Sequence, residues 1–347
     1  MLFDVKPIDR QIYREKLSGF LPPKIVDVHT HIWLKSFIRE SQEAQGTART
    51  VSWPGRVAED NAIEDLLETY RLMFPDRTVT PVIFGSPNRT VDTEATNDYV
   101  SRSARTHGLP GLLVSTPAWS VQHLEQEVLG GGFLGLKPYL SFAPVEIPAG
   151  EITIFDYLPH AHLEVADSQG WVIMLHIPRA ARLRDPVNLA QLLEIERAYP
   201  NIQLIVAHIG RAYCREDVGK AFDVLGQTSC MRFDFSANTN SWVIAQLIRT
   251  VGPQRILFGS DLPILRMRMR RICEDGTYIN LVPPGLYGDV SGDAHMREVS
   301  RDEGQRLSFF LYEEIMAFRE AAEATGLTTA EVADIFYNNA ASLFSIT

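Results

Sequence analysis

Val26-Asp27-Val28-His29-Thr30-His31-Ile32-Trp33 is the stretch on which the fold of this chain turns. An apolar run ends in two histidines one residue apart. If residues 25–32 form a strand, its period of two sets His29 and His31 on one face. Two imidazoles where a buried strand meets a loop make a ready pair of nitrogen ligands for a divalent metal. Two surface or hydrogen-bonded histidines would look the same, so the other ligands must come from elsewhere in the chain.

Working outward, apolar strand candidates at 79–85, 112–116, 133–138, 171–177, 202–209, 231–235 and 255–261 follow. Helical spacing at 61–73, 94–107, 121–129, 157–168, 188–198, 217–225 and 242–250 separates them. With 25–32 this gives eight strands with helices between them, the tally of a (β/α)8 TIM barrel with core strands over about 25–263. The runs lack a clean in/out alternation, as expected of parallel strands covered by helices. A doubly wound open sheet is the alternative; it ranks lower because no Gly-rich phosphate turn follows the first strand. Outside this rhythm lie a mixed-charge N-terminal extension at 1–24 and a polar stretch after Trp33 that holds residues 41–46. A long loop at 262–303 follows the last strand. C-terminal helices are expected at 305–324 and 329–344, the second capped by Thr328 or Thr329 with Glu331 in its first turn. The whole, 1–347, reads as one domain.

The composition is that of a globular protein: 347 residues, 45% hydrophobic and 22% charged. A net charge of −10 argues against a nucleic-acid partner. No apolar run approaches membrane-spanning length, and residues 1–10 carry both charge signs with no secretory h-region. Cys214, Cys230 and Cys273 are odd in number and scattered, which favours buried or idle thiols in a reducing compartment over a disulfide framework. The cytoplasm is the expected location.

The polar exceptions to the apolar runs share one place. His29 and His31 end the first strand, Lys137 the fourth, His176 the fifth, His208 the sixth and Asp261 the eighth. In a barrel all of these project at the C-terminal mouth. Each alone has a bland reading, a satisfied core histidine or a capping aspartate; together they point to one metal site.

These residues resemble the metal-dependent amidohydrolase superfamily. The matching motifs are the H-T-H at 29–31, His176 in Met-Leu-His-Ile-Pro, His208 in Val-Ala-His-Ile-Gly and Asp261 in Phe-Gly-Ser-Asp-Leu-Pro. The branch is similar to amidohydrolase-2, which includes pyrone-dicarboxylate lactonases and aminocarboxymuconate-semialdehyde and resorcylate decarboxylases. The early H-x-H and the closing Phe336-Tyr337-Asn338-Asn339-Ala340 segment carry that assignment. The resemblance implies His29, His31, His176 and Asp261 as ligands of a divalent ion, zinc before manganese and one ion rather than two. It places His208 beside the reactive water, with Asp261 and His208 catalytic. Lys137 stays open between a carbamylated bridge to a second metal, which would also take His208, a contact to substrate or to a ligand, and simple packing. Barrels of this family are often dimers, so a homodimer is the implied assembly.

A hydrolase cleaving an amide, lactone or ester fits this set, and a non-oxidative decarboxylase would use the same ligands. A metal-binding protein without turnover is the third reading. Arg179, Arg266 and Arg268 near the strand ends suggest a small anionic substrate, though surface ion pairs would explain them equally. Trp33 and Trp53 are candidates to wall the pocket or to anchor the loop.

Overall fold

The computed structural model describes residues 2–39 and 56–346. Residues 41–46 and Trp53 lie outside the described residues. The architecture is α/β with parallel strands. β1 (Lys24–His31) pairs with β2 (Thr78–Phe84). β3 (Gly135–Leu136), β4 (Val172–Leu175), β5 (Gln203–Val206), β6 (Arg232–Asp234) and β7 (Ile256–Leu257) make a second parallel sheet in chain order. Isolated parallel bridges, Ile83 with Gly111 and Leu113 with Leu136, join the two sheets. On the other side the Val28 N–H donates to the Phe258 carbonyl at 3.0 Å and the Asp261 N–H to the His29 carbonyl at 2.8 Å. Thr30 bridges Leu262 in parallel there. The ladder that leaves β1 therefore comes back to β1.

The expected strand at 112–116 is reduced to those bridges. Pro110 and Pro117 flank it and bring no N–H to a ladder. β3 stops early for the same reason, since Pro138 follows Lys137. Gly135 is obligatory in β3: a Cβ there would sit 1.9 Å from the Val172 carbonyl oxygen of the neighbouring strand.

An N-terminal helix α1 (Pro7–Ile12) precedes β1, in a segment whose charge pattern alone gave only an extension. The connecting helices are α2 (Ile63–Met73), α3 (Thr93–His107), α4 (Val121–Gly131), α5 (His160–Gln169), α6 (Pro186–Ala198), α7 (Ala221–Leu225) and α8 (Ser241–Val251). Side-chain caps set several starts. Asp92 accepts from the Ala95 N–H at 3.0 Å, and Asp185 from the Val187 N–H at 2.9 Å with Pro186 in the first helical position. At the C-terminus come α9 (Phe310–Thr325) and α10 (Thr329–Ala333), the latter capped by Thr328, whose hydroxyl accepts from the Glu331 N–H at 3.2 Å.

Strand side chains divide by the period of two. Val26, Val28, Val82, Met174, Ile205 and Leu257 form one cluster, which Ala340, Ala341 and Phe344 of the C-terminal segment also join. Ile25, Ile83, Ile173, Leu175, Leu204 and Phe233 face the opposite way, into a larger cluster shared with the helices. The strands are thus buried on both faces, which explains their unbroken apolar runs.

The stretch at 262–303 departs from the expected loop. It holds a hairpin of β8 (Arg270–Glu274) and β9 (Thr277–Val282), with β10 (Met296–Glu298) parallel to β9. The turn is Asp275-Gly276 with φ of 49° and 73°, the positive-φ pair that a two-residue hairpin demands. The insert is fastened to the N-terminal segment. Arg268 donates to both carboxylate oxygens of the fully buried Asp9, at 2.9 and 2.5 Å, and the Ser308 hydroxyl donates to Asp9 at 2.8 Å.

It is also fastened covalently, because Cys214 and Cys273 form a disulfide with Cα atoms 5.9 Å apart. This corrects the expectation of idle thiols: the partners are 59 residues apart in sequence and meet only because the hairpin folds back over the loop after β5. The argument for a reducing compartment loses its basis there. No helix among the described residues is long and apolar enough to cross a membrane.

Two outcomes are expected. Denatured, unreduced protein should expose one titratable thiol per chain, the exposed Cys230, and three after reduction; three before reduction would mean the bridge does not form. Arg268→Leu should lower urea-unfolding stability by about 3–5 kcal/mol, because it leaves the Asp9 carboxylate buried without its cation.

Candidate metal centre

The polar residues singled out in the sequence stand at or just beyond the C-terminal ends of parallel strands. His29 and His31 close β1, Lys137 follows β3, His176 follows β4, His208 follows β5 and Asp261 lies beyond β7. All six are buried, and the structure brings them together. Two donor sets share His29: His29, His31 and Asp261, and His29, His176 and His208. Within each set the ligand atoms lie within 4.8 Å of one another.

Hydrogen bonds behind the rings decide which nitrogen faces inward. His29 Nδ1 meets Asp234 Oδ2, His31 Nδ1 the Gly85 carbonyl and His208 Nδ1 the Ser236 carbonyl, each at 3.0 Å. A ring nitrogen against an oxygen acceptor carries the proton, so each Nε2 keeps its lone pair. His29 Nε2 is fully enclosed and has no hydrogen-bond partner among the described residues. It stands 3.6 Å from Asp261 Oδ1, and His31 Nε2 stands 3.3 Å from the same oxygen. His176 Nε2 faces His208 Nε2 at 2.8 Å, a spacing two lone pairs hold only with a proton or a cation between them. An orphaned imidazole nitrogen, converging lone pairs and a carboxylate are the donor chemistry of a divalent transition metal, and the residues fit one.

The electrostatics agree. Burial, reinforced by the Lys137 charge, pulls His29 down to about 3, and burial lowers His176 and His208 as well. Burial also brings the Lys137 amine down to about 7, against the upward pull of Asp234 and Asp261. Burial alone would raise Asp261, yet the imidazoles packed around its carboxylate, His31 first among them, outweigh it and hold the group at about 2. At neutral pH His29, His176 and His208 are therefore neutral rings near an ionised Asp261 carboxylate. Lys137 Nζ lies 2.9 Å from His176 Nδ1, so the amine fixes that ring.

In the sequence Asp234 reads as one more residue of an apolar strand. It holds His29 through Oδ2, while its Oδ1 accepts from the His208 N–H at 2.9 Å and from the Ser236 hydroxyl. The signal was present, since Asp234 is a charge at a strand end like Lys137 and Asp261. Gly259 makes the contact possible: a Cβ there would meet His29 Cβ at 2.8 Å and Asp234 Cβ at 3.4 Å. Behind them Asp27, raised to about 7 by burial, accepts from the Tyr70 hydroxyl and the Ser260 N–H, each at 2.8 Å.

The backbone is bent to serve this cluster. His208, Ile209, Gly210 and Arg211 form one left-handed turn, with φ of 55°, 51°, 58° and 60°. Each non-glycine residue so placed costs about 1–2 kcal/mol, and such outliers gather at functional sites. Asp261 and Ala237 share the conformation, with φ of 53° and 55°.

A cavity of about 770 Å³ opens on His31, His176, His208 and Asp261, with Trp33 in its lining. Three of the arginines expected there are engaged elsewhere. Arg268 binds Asp9, Arg266 reaches the Thr69 hydroxyl at 3.4 Å with its guanidinium over Phe3, and Arg179 pairs with Asp185 at 3.3 Å. The arginines that do line the cavity are Arg211, which follows His208 as closely as Arg179 follows His176, and Arg271 on β8.

The family model described as amidohydrolase matches residues 26–346. No curated protein matches the sequence. Among solved structures, a 2,6-dihydroxybenzoate decarboxylase from Rhizobium is 13% identical with a TM-score of 0.55, covering 94% of this chain and 99% of its own. A 2-pyrone-4,6-dicarboxylic acid hydrolase from Pseudomonas putida, itself assigned without proof, is 16% identical with a TM-score of 0.54, over 94% and 98%. A dihydroxybenzoic acid decarboxylase from Polaromonas sp. JS666, solved with manganese and 2-nitroresorcinol, is 15% identical with a TM-score of 0.54, over 94% and 98%. At these identities the likeness is one of fold. The match over residues 26–346, with the motifs it contains, decides the kinship: the chain belongs to the amidohydrolase family, in its amidohydrolase-2 branch.

Proposed function

We propose that this chain is a metal-dependent hydrolase acting on an amide, lactone or other ester bond of a small, carboxylate-bearing substrate. The returning parallel ladder is read as a (β/α)8 barrel, with the site at its C-terminal mouth. The observation that carries the proposal is the enclosed, unpartnered Nε2 of His29 beside the Asp261 carboxylate. His29, His31, His176 and Asp261 would hold one divalent ion, zinc first on its N/O donors and manganese second. When bound, such an ion lowers the pKa of water and polarises a carbonyl.

The chain's own residues supply the remainder. Asp261, ionised at neutral pH, accepts the proton of the attacking water and returns it to the leaving group. His208 is neutral with Nδ1 tied to the Ser236 carbonyl, so its Nε2 accepts a hydrogen bond and orients that water. Lys137, engaged with His176, is read as positioning that ligand. Decarboxylation is the second reading, since it uses the same donors and solved relatives in fold include decarboxylases. It would require Asp261 to begin as an acid, whereas its pKa near 2 favours the base.

Protein loaded with Zn²⁺ or Mn²⁺ should turn over a member of a panel of lactones, amides and aryl carboxylates. Asp261→Asn should cut kcat by about 10²–10⁴-fold. Release of CO₂ would select the lyase, and a protein that neither holds metal nor gains activity with either ion would end the proposal. Asp234→Asn frees the tautomer of His29 and should weaken metal affinity about 10–100-fold in a chelator competition.

A further inference from the structure

We propose that Glu314 is a positioning residue for the donor cluster: from α9 it holds the turn after β6, and through that turn the ring of His208. The role rests on the hydrolase reading only in so far as His208 orients the attacking water. Glu314 stands on the buried face of α9, one turn from Phe310 and one from Phe318, and is fully enclosed. Its Oε2 accepts from the Ala237 N–H at 2.6 Å.

The turn is one that needs holding. It runs from Phe235 to Asn238, closed by the Asn238 N–H on the Phe235 carbonyl at 3.1 Å, and its third residue, Ala237, has a φ of 55°. A positive φ at that place suits glycine or asparagine, and the Cβ of an alanine disfavours it. Ala237 is gripped on both sides: Glu314 takes its N–H, and Arg271 Nη1 donates to its carbonyl at 2.6 Å. Asn238 anchors the end of the turn, its Nδ2 donating to the Ala212 carbonyl at 2.8 Å. Ser236, the residue before Ala237, is the one that meets the cluster. Its hydroxyl donates to Asp234 Oδ1, and its carbonyl and hydroxyl oxygens both face His208 Nδ1, at 3.0 and 2.8 Å. A turn that relaxed at Ala237 would swing the Ser236 carbonyl away from that nitrogen. The Nδ1–H tautomer, which leaves Nε2 its lone pair, would then lose its acceptor.

Glu314 does this as a neutral acid. Burial drives its pKa well above the ordinary carboxylate range; the Ala237 N–H pulls the other way, and the charges of Asp27, Asp234 and Asp261 add to the rise. With Oε2 accepting the N–H, the proton sits on Oε1, which is enclosed and has no hydrogen-bond partner among the described residues. An anion there would add one more carboxylate to that group, stripped of water. A neutral acid has only to accept one hydrogen bond. Glutamine offers an amide oxygen at the same reach and can take its place, whereas an apolar side chain cannot.

The test compares E314Q and E314M, side chains of closely similar length, with the wild type, each labelled with ¹⁵N-histidine for NMR. The His208 Nδ1–H resonance, assigned through H208Q, should be protected from exchange in the wild type and in E314Q, with or without Zn²⁺. In E314M it should vanish into solvent exchange or give way to a mixture of tautomers. In Zn²⁺-loaded protein the kcat of E314M should fall about 10–100-fold with KM little changed, while E314Q stays close to the wild type. An unaltered His208 resonance or an undiminished kcat in folded E314M, or loss of the resonance in E314Q, would overturn the proposal. Should E314M not fold, hydrogen exchange in the wild type decides. The Ala237 N–H and the His208 Nδ1–H should be released by one opening, at like protection; a His208 proton that exchanges freely while the Ala237 N–H is held refutes the link. If the resonances behave as expected and no variant, wild type included, turns over any substrate, the hydrolase reading falls and the positioning role stands.

Discussion

The contact between His29 Nδ1 and Asp234 Oδ2, 3.0 Å long and shut away from solvent, is the joint about which this molecule is assembled. It ties the end of β1 to the end of β6, and Gly259 passes between them with no side chain. The same carboxylate reaches the His208 N–H, so one aspartate sets the ring on β1 and the start of the turn after β5. The direction in which three imidazoles present their lone pairs follows from this arrangement and from the two backbone carbonyls that do the same for His31 and His208. Shape in the donor cluster is thus a matter of proton placement one bond further out.

The cluster is expensive. Three non-glycine residues sit in consecutive left-handed conformations or nearly so, Asp27 and Glu314 are enclosed acids whose burial raises their pKa, and His29 Nε2 lacks a partner. None of this stabilises the fold. It is tolerated because strands buried on both faces, with the C-terminal segment packed against one set of their side chains, leave a large apolar reserve. Local strain held by such a frame is the usual sign of a site shaped for a ligand rather than for stability.

Much of this was legible in the sequence. Apolar runs with a polar residue at the end of each revealed the alternation of strands and helices and the residues that converge, because the period of a strand and the spacing of a helix are local properties. Asp234 obeyed the same rule and was missed only because its strand looked complete without a role. Which of the arginines faces the cavity was out of reach for another reason: it depends on pairings such as Arg268 with Asp9, 259 residues apart. The Cys214–Cys273 bridge was equally hidden, whereas the Asp275-Gly276 turn of the hairpin lay in plain view within a stretch read as loop.

The insert from 262 to 303 is held to the remainder of the chain by the disulfide at one end of the hairpin, by the Arg268–Asp9 pair before it and by core side chains such as Met267, Met269 and Tyr278. Its donor-side neighbours need nothing from it, since no residue of the two donor sets lies within it. The exposed part of such a segment, around the Asp275-Gly276 turn, is free of the donor cluster. Its sequence can drift, or be exchanged by an engineer, to offer a different wall to the cavity while the imidazoles and Asp261 stay where they are. A covalent stitch makes that freedom safe, because it fixes the position of the hairpin without dictating the side chains that the hairpin displays.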